Sequence, residues 1–405
     1  MLMDEVSRYA VGIDVDTENV RAVVMSVAKD GATSVVGYGE ARNSGMRKGV
    51  VANLVGPGEA IDRMLVEVER MSGHEINSAY LSINGAHVLS TKTEGMIALG
   101  PKDHEINLSD LERVEDSATT GRIPANRDVL EVLPMGYILD GQAGIRDPLG
   151  MTGSRLEIEA NVLSALTPNC NNLRKAAEDI GKVQVEKLIP SVVASARAVL
   201  SERQMENGVA VVDFGAATTS VAVFEEGDLQ YVGVLPVGSN NVTNDLAIVL
   251  EIDPDLAEDI KRRFVTGAFV DGDKDIIVKR GREEAHFKRN EVNKIVQVRL
   301  HEIFMGVRSE LKRAGYDRRL PEGIVLVGGG AKMRDIEVFA KDVLEAAVRI
   351  GVPSGLGGVS EATEKPEFAA AVGLALYMAE YGGDSGSARK KPKKKGGILS
   401  FFNKV

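Results

Sequence analysis

The sequence predicts an α/β fold with two related halves, a module inserted into the first half and a flexible tail. Two stretches, residues 9–40 and 208–238, carry the same pattern of strand, small-residue turn and strand. In both of them the first strand ends in an aspartate. Strands rich in Val and Ile alternate with helices in each half, which is typical of mainly parallel sheets joined by crossover helices. An internal duplication of this kind predicts one architecture used twice.

The elements follow in chain order. In the first hairpin, YAVGIDVD and VRAVVMSV flank the turn TEN. Residues 85–165 then break the alternation with short strand-like runs and one helix predicted to begin near Leu108, so they form an inserted module. A helix over NLRKAAEDIG closes on Gly181, the second hairpin follows, and a long helix with one apolar face closes on Gly315.

The composition is that of a soluble globular protein, because 44% of the 405 residues are hydrophobic and 27% are charged. This length predicts about two to four packed units. No run of about 18 uncharged apolar residues occurs, so we expect no membrane-spanning helix. A single cysteine, Cys170, and a start without a signal-like apolar stretch favour the reducing cytoplasm. The acidic body argues against nucleic acid as a partner.

The two hairpin turns have the composition of phosphate-binding turns. Small and hydroxyl residues let backbone N–H groups approach a triphosphate, and two facing turns can clamp one. Two aspartates beside the phosphates suit Mg²⁺, which often takes carboxylates through water, so Asp14 and Asp213 are candidate metal ligands. Either turn alone could instead be a tight hairpin in which Asp accepts backbone hydrogen bonds. The candidate nucleotide-binding residues are Asp14 and Thr17 in the first turn and Asp213, Gly215, Ala216, Thr218 and Thr219 in the second.

A third motif, IVLVGGGAKM at residues 324–333, has an apolar strand that ends in three glycines before a new helix. Ribose and phosphate can lie against the backbone at such a place, although the motif by itself is a weak signal. Together with the duplicated turns it predicts a nucleotide cleft. Its candidate residues are Gly328, Gly329, Gly330 and Met333.

In order and spacing, the three motifs resemble those of the actin, hexokinase and chaperone superfamily. The resemblance implies an actin-like fold, that is, duplicated ribonuclease-H-like halves around a cleft that binds ATP and Mg²⁺. It also implies that AEDIKRR, residues 257–263, embraces the adenosine through Glu258 and Lys261. These two residues could instead belong to a solvated helix face.

Within that superfamily, the inserted stretch LPMGYILDGQAGIRDPLGMTGSRLE, residues 133–157, resembles the FtsA family of bacterial cell-division proteins, as do VGSNNVTNDLA and VRIGVP. The resemblance covers essentially the whole chain. It implies ATP binding, self-association into filaments through the inserted α+β subdomain, and capture of the C-terminal peptide of the tubulin-like protein FtsZ. Later division proteins are further expected partners. Arg299 matches an arginine that the family uses for the FtsZ peptide, although it could equally be a surface residue.

The resemblance also divides the chain into domains. The first actin-like half is residues 1–84 with 166–200 and 366–382, the inserted subdomain is 85–165, and the second half is 201–240 with 305–365. Residues 241–304 form the small lobe of the second half. We expect 383–395 to be a flexible basic linker and 396–405 an amphipathic membrane-targeting helix.

The chain departs from the family at two places that affect the predicted chemistry. The first turn reads DVDTENV where the family usually has Gly and then Lys, so Asp16 adds negative charge near the phosphates and Asn19 supplies no cation. Between the halves, Ile189 stands where hydrolysing bacterial actins have a glutamate. Without a polar group to orient water, hydrolysis should be slow. We therefore expect ATP binding with weak or absent ATPase activity.

The tail combines a basic cluster, residues 389–395, with the apolar end ILSFFNKV. A flexible link, a cluster of cations and an amphipathic end are typical of a segment that lies in the bilayer interface and binds anionic lipids. We expect a peripheral protein on the cytoplasmic face of the membrane at the division site. The tail could also dock on a partner, or its phenylalanines could pack on the body. The predicted membrane-contacting residues are Lys393, Lys394, Lys395, Ile398, Leu399, Phe401 and Phe402.

Two other functions are compatible with the superfamily. A small-molecule kinase would need a carboxylate base in the cleft, and no such base can be singled out. Another assembly ATPase, such as a PilM-like protein, would lack the basic amphipathic tail.

Overall fold

The computed structural model describes residues 6–100, 104–267, 275–280 and 283–382. None of the helices in these ranges is both long and apolar enough to cross a membrane. The predicted basic linker and membrane-targeting helix lie outside the described residues, and with them Lys393, Lys394, Lys395, Ile398, Leu399, Phe401 and Phe402.

The first half is built on a six-stranded sheet. β1 (Val6–Val15) and β2 (Asn19–Ala28) form the predicted hairpin, and β3 (Thr33–Arg42) extends it. A short hairpin, β4 (Met46–Arg47) and β5 (Val50–Val51), follows. β6 (Ser78–Ile83) lies parallel to β1, β11 (Gln184–Pro190) lies parallel to β6, and β19 (Gly357–Gly358) lies parallel to β3. The order across the sheet is β11, β6, β1, β2, β3, β19.

Three helices pack on this sheet: α1 (Val55–Ser72), α4 (Ser191–Val199) and α10 (Ala369–Tyr381). α10 is almost wholly buried between β1 and α4, because glycines allow close approach. A Cβ atom on Gly12 would lie 2.2 Å from the carbonyl oxygen of Ala371, and one on Gly373 would lie 1.7 Å from that of Ala194. A larger side chain at either position would displace the helix.

The sheet of the second half repeats five of the six strands of the first sheet. β12 (Val209–Phe214), β13 (Thr219–Glu225) and β14 (Asp228–Leu235) are antiparallel, β17 (Ile324–Val327) lies parallel to β12, and β18 (Val348–Ile350) lies parallel to β17. The order β14, β13, β12, β17, β18 reproduces β3, β2, β1, β6, β11. The duplicated α/β architecture predicted from the two hairpins is therefore confirmed.

Helices α5 (Glu202–Asn207), α8 (Arg289–Ala314) and α9 (Ile336–Leu344) accompany the second sheet. α8 ends at Gly315, as predicted, because this residue takes the left-handed conformation at φ +87°. Between β14 and α8 lies a small lobe made of α6 (Ser239–Val249), α7 (Pro254–Phe264) and the hairpin of β15 (Ile276–Arg280) and β16 (Glu283–Phe287).

The inserted module is an antiparallel sheet with one helix. It contains β7 (Leu89–Ala98), α2 (Leu108–Thr119), β8 (Arg127–Leu139), β9 (Gln142–Ile145) and β10 (Arg155–Leu166), with the sheet order β7, β10, β8, β9. α2 begins at the predicted residue because Asn107 and Asp110 form a capping box. After β10, α3 (Thr167–Lys175) and a π-helical turn (Ala176–Ile180) return the chain to the first half at Gly181.

The inserted module packs against β14, an edge strand of the second sheet. The Ser90 hydroxyl on β7 donates to the Val232 carbonyl oxygen at 3.3 Å and accepts from the Val232 N–H at 2.8 Å. The buried Asn161 amide on β10 donates to the Leu229 carbonyl oxygen at 2.8 Å. One continuous hydrophobic core therefore includes side chains of both halves and of the base of the module.

Candidate functional site

The candidate site lies where the two duplicated hairpins face each other. Asp14 is the last residue but one of β1, and Asp213 is the last but one of β12. Both side chains are buried, at 3% and 9% exposure, and they lie close enough for the Asp213 charge to act on Asp14. The structure thus brings together the two aspartates that the sequence predicted from the repeat.

At this site three acidic side chains, Asp14, Asp16 and Asp213, lie close to one another. Burial raises the pKa of Asp14 well above its ordinary value, and the neighbouring carboxylates of Asp16 and Asp213 raise it further. Burial, followed by the charge of Asp16, raises the pKa of Asp213 to about 7. Burial also raises the pKa of Asp16. Ionising all three carboxyl groups together is therefore costly, and a bound cation would lower that cost.

These residues fit a magnesium-bound nucleotide. The Oδ1 atom of Asp14 is buried and has no hydrogen-bond partner within the described ranges, so it is free to accept one from a ligand or from metal-bound water. Across the residues that the structure describes, no three His, Cys, Asp or Glu side chains form a complete metal cage. A Mg²⁺ ion held by Asp14 and Asp213 would thus complete its coordination with water and phosphate oxygens.

The first of the three glycines after β17, Gly328, lies directly beside Asp213, because β17 pairs with β12 in the register Asp213 to Val327. Gly328 has φ +85°, and a Cβ atom there would lie 2.4 Å from Oδ1 of Asp213. A Cβ atom on Gly330 would lie 2.5 Å from the Phe214 ring, whereas one on Gly329 would meet nothing within 4 Å. Gly329 therefore presents open backbone at the site. Met333 is half-buried against the core of the second half.

The second hairpin turn forms backbone hydrogen bonds within itself and with the N-terminus of α6. The N–H of Gly215 donates to the carbonyl oxygen of Thr218, and the N–H groups of Ser239 and Asn240 donate to the carbonyl oxygens of Gly215 and Ala216. Thr219 is fully buried, and its hydroxyl donates to the Val237 carbonyl oxygen at 2.8 Å. Thr219 thus holds the turn, while the N-terminus of α6 packs against it. In the first turn, Thr17 is half-buried.

Three hydrogen bonds cross the cleft between the halves. The Asn84 amide, just after β6, donates to the Thr218 hydroxyl at 3.0 Å, and its oxygen accepts from the Ser220 hydroxyl at 3.0 Å. The Asn240 amide donates to the Glu18 carboxylate at 2.7 Å. Sequence reasoning identified Thr218 but missed Asn84, Ser220, Asn240 and Glu18. The repeat contained a signal for Asn84, because it follows β6 as Gly328 follows β17 in the other half.

Glu258 and Lys261 lie together on α7, next to the N-terminus of α6. The Lys261 ammonium is 2.6 Å from the Glu258 carboxylate, 2.9 Å from the Thr243 hydroxyl and 3.3 Å from the Ser239 carbonyl oxygen. At 8% exposure Lys261 does not belong to a solvated face. Burial raises the pKa of Glu258, but Lys261, Thr243 and Arg262 together outweigh that effect and the net pKa is lowered. This cluster adjoins the site on the side of the small lobe.

One cation, Arg21, lies close to the acidic cluster on β2. Its guanidinium is 3.2 Å from Asp16 and 2.7 Å from Glu40, and it sits 5.9 Å from the centre of the Phe368 ring. Its side chain is only 7% exposed. Sequence reasoning considered Asn19 in this region and overlooked Arg21, two residues further along the same strand.

Ile189 and Ser191, at the position where a glutamate was considered, supply no carboxylate. Ile189 is buried in β11 as part of the core, at 2% exposure. Ser191, which begins α4, is also buried, and its hydroxyl helps to lower the pKa of Asp213 against the effect of burial. A hydroxyl in this position is a poor general base for water.

Arg299 lies on α8, which packs against α6 of the small lobe. It makes two hydrogen bonds with the Asp245 carboxylate of α6, at 2.6 and 2.9 Å, and one with Glu302 at 2.6 Å. The bond from Asp245 raises the pKa of the guanidinium. Three strongly exposed apolar side chains, Ile248 and Val249 on α6 and Val298 on α8, occur on the same pair of helices.

Comparison with known proteins gives consistent matches along the chain. The family described as "Cell division protein FtsA" matches residues 210–373, and "SHS2 domain inserted in FTSA" matches residues 85–164. The cell division protein FtsA of Pseudomonas aeruginosa is 36% identical over 377 residues, which cover 91% of this chain and 89% of that protein.

Solved structures share the fold at low sequence identity. The PilM–PilN type IV pilus biogenesis complex aligns with a TM-score of 0.67 at 17% identity, covering 91% of this chain and 98% of that chain. MreB5 of Spiroplasma citri bound to ADP aligns with a TM-score of 0.55 at 13% identity, covering 92% and 97%. The predicted actin-like fold is therefore confirmed.

The raised pKa of Asp213 makes the stability of the ligand-free protein depend on pH. Between its ordinary pKa and about 7, the folded protein holds a proton that the unfolded chain has released, so stability falls as pH rises through this range. Asp213→Asn mimics the protonated form. We expect this variant to unfold a few degrees higher than the parent at pH 8, with a smaller difference at pH 5, in thermal melts.

The matched control is Asp342→Asn, which removes an exposed aspartate on α9. It should leave the pH dependence of the melting temperature unchanged. Equal pH dependence in the parent and in Asp213→Asn would contradict the electrostatic account of the site.

Proposed function

This chain belongs to the FtsA family of cell division proteins, and from that premise we propose that it binds ATP with Mg²⁺, assembles into actin-like filaments and tethers FtsZ filaments to the cytoplasmic membrane at the septum. The single observation that carries the nucleotide part is the convergence of Asp14, Asp213 and Gly328 at one point between the duplicated halves.

In this proposal each part of the cleft has a separate task. Mg²⁺ supplies positive charge between the phosphates and the carboxylates of Asp14 and Asp213 when it is bound. In the second turn, the N–H groups of Ala216 and Thr218 bind phosphate, and Gly215, whose own N–H bonds to the Thr218 carbonyl oxygen, holds the turn in shape. The open backbone at Gly329 lies against the ribose. Glu258 and Lys261 position the adenosine from the small lobe. Met333 would lie beside it as an apolar contact.

Turnover should be weak or absent, because Ile189 and Ser191 supply no carboxylate to orient water. Bound nucleotide would then act as a switch on assembly, since the two halves meet through hydrogen bonds such as Asn84 to Thr218 that a ligand between them can alter. Rapid magnesium-dependent phosphate release from the purified protein would contradict this part.

Filament contacts are assigned to the inserted subdomain, residues 85–165. Its surface exposes large apolar side chains on two neighbouring segments. Backbone hydrogen bonds of Ile106 with Met151 and Gly150 hold these segments together. Apolar groups in such a cluster favour protein contact. The exposed members are Leu108, Leu149 and Met151.

The FtsZ peptide is assigned to the small lobe, residues 241–304. A cation and exposed apolar side chains on α6 and α8 suit a peptide with acidic and apolar residues, and Arg299 supplies the cation. In the free protein Arg299 forms ion pairs with Asp245 and Glu302. An acidic residue of the peptide would have to displace Glu302, which is the more exposed of these two carboxylates.

The tail is assigned to the membrane on its sequence alone. Each buried Phe, Ile or Leu contributes about 1.5 to 3 kcal/mol, and each Lys or Arg near an anionic surface about 1 kcal/mol. Set against the ordering of a short helix, this sum predicts reversible binding in roughly the micromolar range, strengthened by avidity in a filament. Such a tail favours the division function over a PilM-like one, although the PilM–PilN structure shares the fold.

We expect Asp14→Asn to reduce the affinity for ATP in the presence of Mg²⁺ by about tenfold or more, because the metal loses a charged ligand. Fluorescence titration with labelled ATP measures this. In EDTA, parent and variant should differ much less. Asp342→Asn is the control, and an unchanged affinity with Mg²⁺ in Asp14→Asn would contradict the assigned site.

Arg299→Glu should weaken binding of the FtsZ C-terminal peptide by about tenfold or more, since it replaces the assigned cation with a negative charge that repels the acidic residues of the peptide. Arg308→Glu is a matched control, because Arg308 lies on the same helix and also pairs with two acidic residues, Asp317 and Glu345. Peptide titration by anisotropy, with melting temperatures of both variants, distinguishes binding from stability. Equal loss in the two variants would remove Arg299 from the site.

With anionic liposomes, the full-length protein should sediment and recruit FtsZ, while a variant ending at Gly383 should do neither. Replacing Phe401 and Phe402 by Ser keeps every charge and should still reduce sedimentation strongly, because the apolar contribution is lost. If the full-length protein and the shortened variant both stay in solution, the membrane assignment is wrong.

A further inference from the structure

Arg21 occupies a special place in the first sheet. It lies directly opposite Asp14 on β1 and directly opposite Glu40 on β3, so the three side chains form a row across three strands. Directly opposed residues project from the same face of a sheet. This is the face on which Asp14 meets Asp213.

Arg21 is also fixed in position. Its guanidinium bonds to Asp16 and Glu40, lies over the Phe368 ring and is nearly inaccessible to solvent. The other charged side chains around the cluster have partners of their own: Glu18 accepts from Asn240, and Glu367 pairs with Lys332 at 2.7 Å. Arg21 is therefore the cation that faces the acidic group.

Asp16 is the carboxylate that most needs such a partner. It stands in the turn that faces the second hairpin, and its charge acts on both Asp14 and Asp213. A nucleotide phosphate entering this turn would meet a third carboxylate in addition to the two proposed for Mg²⁺. An uncompensated negative charge beside a bound phosphate weakens nucleotide binding by several-fold or more.

We propose that Arg21 is a positioning residue that neutralises Asp16 and holds its carboxylate back toward β2 and β3, so that the first turn can accept the phosphates of a magnesium nucleoside triphosphate. The inference rests on the proposed nucleotide site and deepens it. The inference explains how the first turn can contain Asp16, and no cation at Asn19, and still bind an anion. The positive charge that compensates Asp16 comes from Arg21, two residues after Asn19 on β2.

The test is a double-mutant cycle between Arg21 and Asp16, read as affinity for labelled ATP with Mg²⁺. Arg21→Met should weaken binding by about tenfold or more, because Asp16 is left uncompensated. Asp16→Asn should bind at least as tightly as the parent. In the double variant, the loss caused by Arg21→Met should shrink to within about threefold, because the charge it compensates is gone.

Glu40→Gln is the control, since it removes the other partner of Arg21 and leaves Asp16 paired; its affinity should stay within about threefold of the parent. Melting temperatures of the same variants give a second readout: Arg21→Met should lower the melting temperature more in the parent background than in the Asp16→Asn background. This readout also applies if Arg21→Met folds poorly.

An equal loss from Arg21→Met in both backgrounds, in affinity and in stability, would overturn the inference and leave the nucleotide site intact. A failure of the parent and of Asp16→Asn to bind ATP would instead overturn the proposed nucleotide function itself. The two failures are therefore distinguishable.

Discussion

The architecture depends on burying acidic side chains where two sheets meet. Carboxylates desolvated next to one another are costly, and the cost is not removed by packing. It is lowered by holding protons, by pairing with a cation such as Arg21, or by admitting a ligand that brings its own positive charge. The glycines around the meeting point serve the same arrangement, because Gly328 brings the backbone to within contact of Asp213. A protein that needed only a stable core would replace these carboxylates with apolar residues.

Much of the fold could be predicted because it is repeated. The two hairpins share a spacing between strand, aspartate and turn, and this local pattern specifies the same strand order in both halves. The ends of α2 and α8 were predictable from caps, which are also local. Short elements such as β9 and β19 were not, because strands of two to four residues exist through their neighbours in the sheet and have no periodicity of their own.

The candidate site divides in the same way. Asp14, Asp213 and the glycines of residues 328–330 follow apolar strands, so sequence identifies them. Arg21 and Asn84 depend on which strand lies beside which, and Arg299 finds its partner Asp245 on a different helix, 54 residues away. Sequence spacing carries no information on such pairs. Comparing equivalent positions of the two halves would have recovered Asn84, but not Arg21, whose partners are supplied by cross-strand register.

The packing of the inserted module on β14 also bears on solubility. An uncovered edge strand offers unpaired N–H and C=O groups to any passing strand, and proteins that self-associate at high local concentration are most exposed to that hazard. Here the side chains of Ser90 and Asn161 hydrogen-bond to backbone groups of Val232 and Leu229 on β14. Side-chain bonds of this kind do not form the backbone ladder through which a further strand could be added. The module thus caps one edge of the second sheet, and irreversible strand-to-strand growth is blocked along the stretch of β14 that it covers.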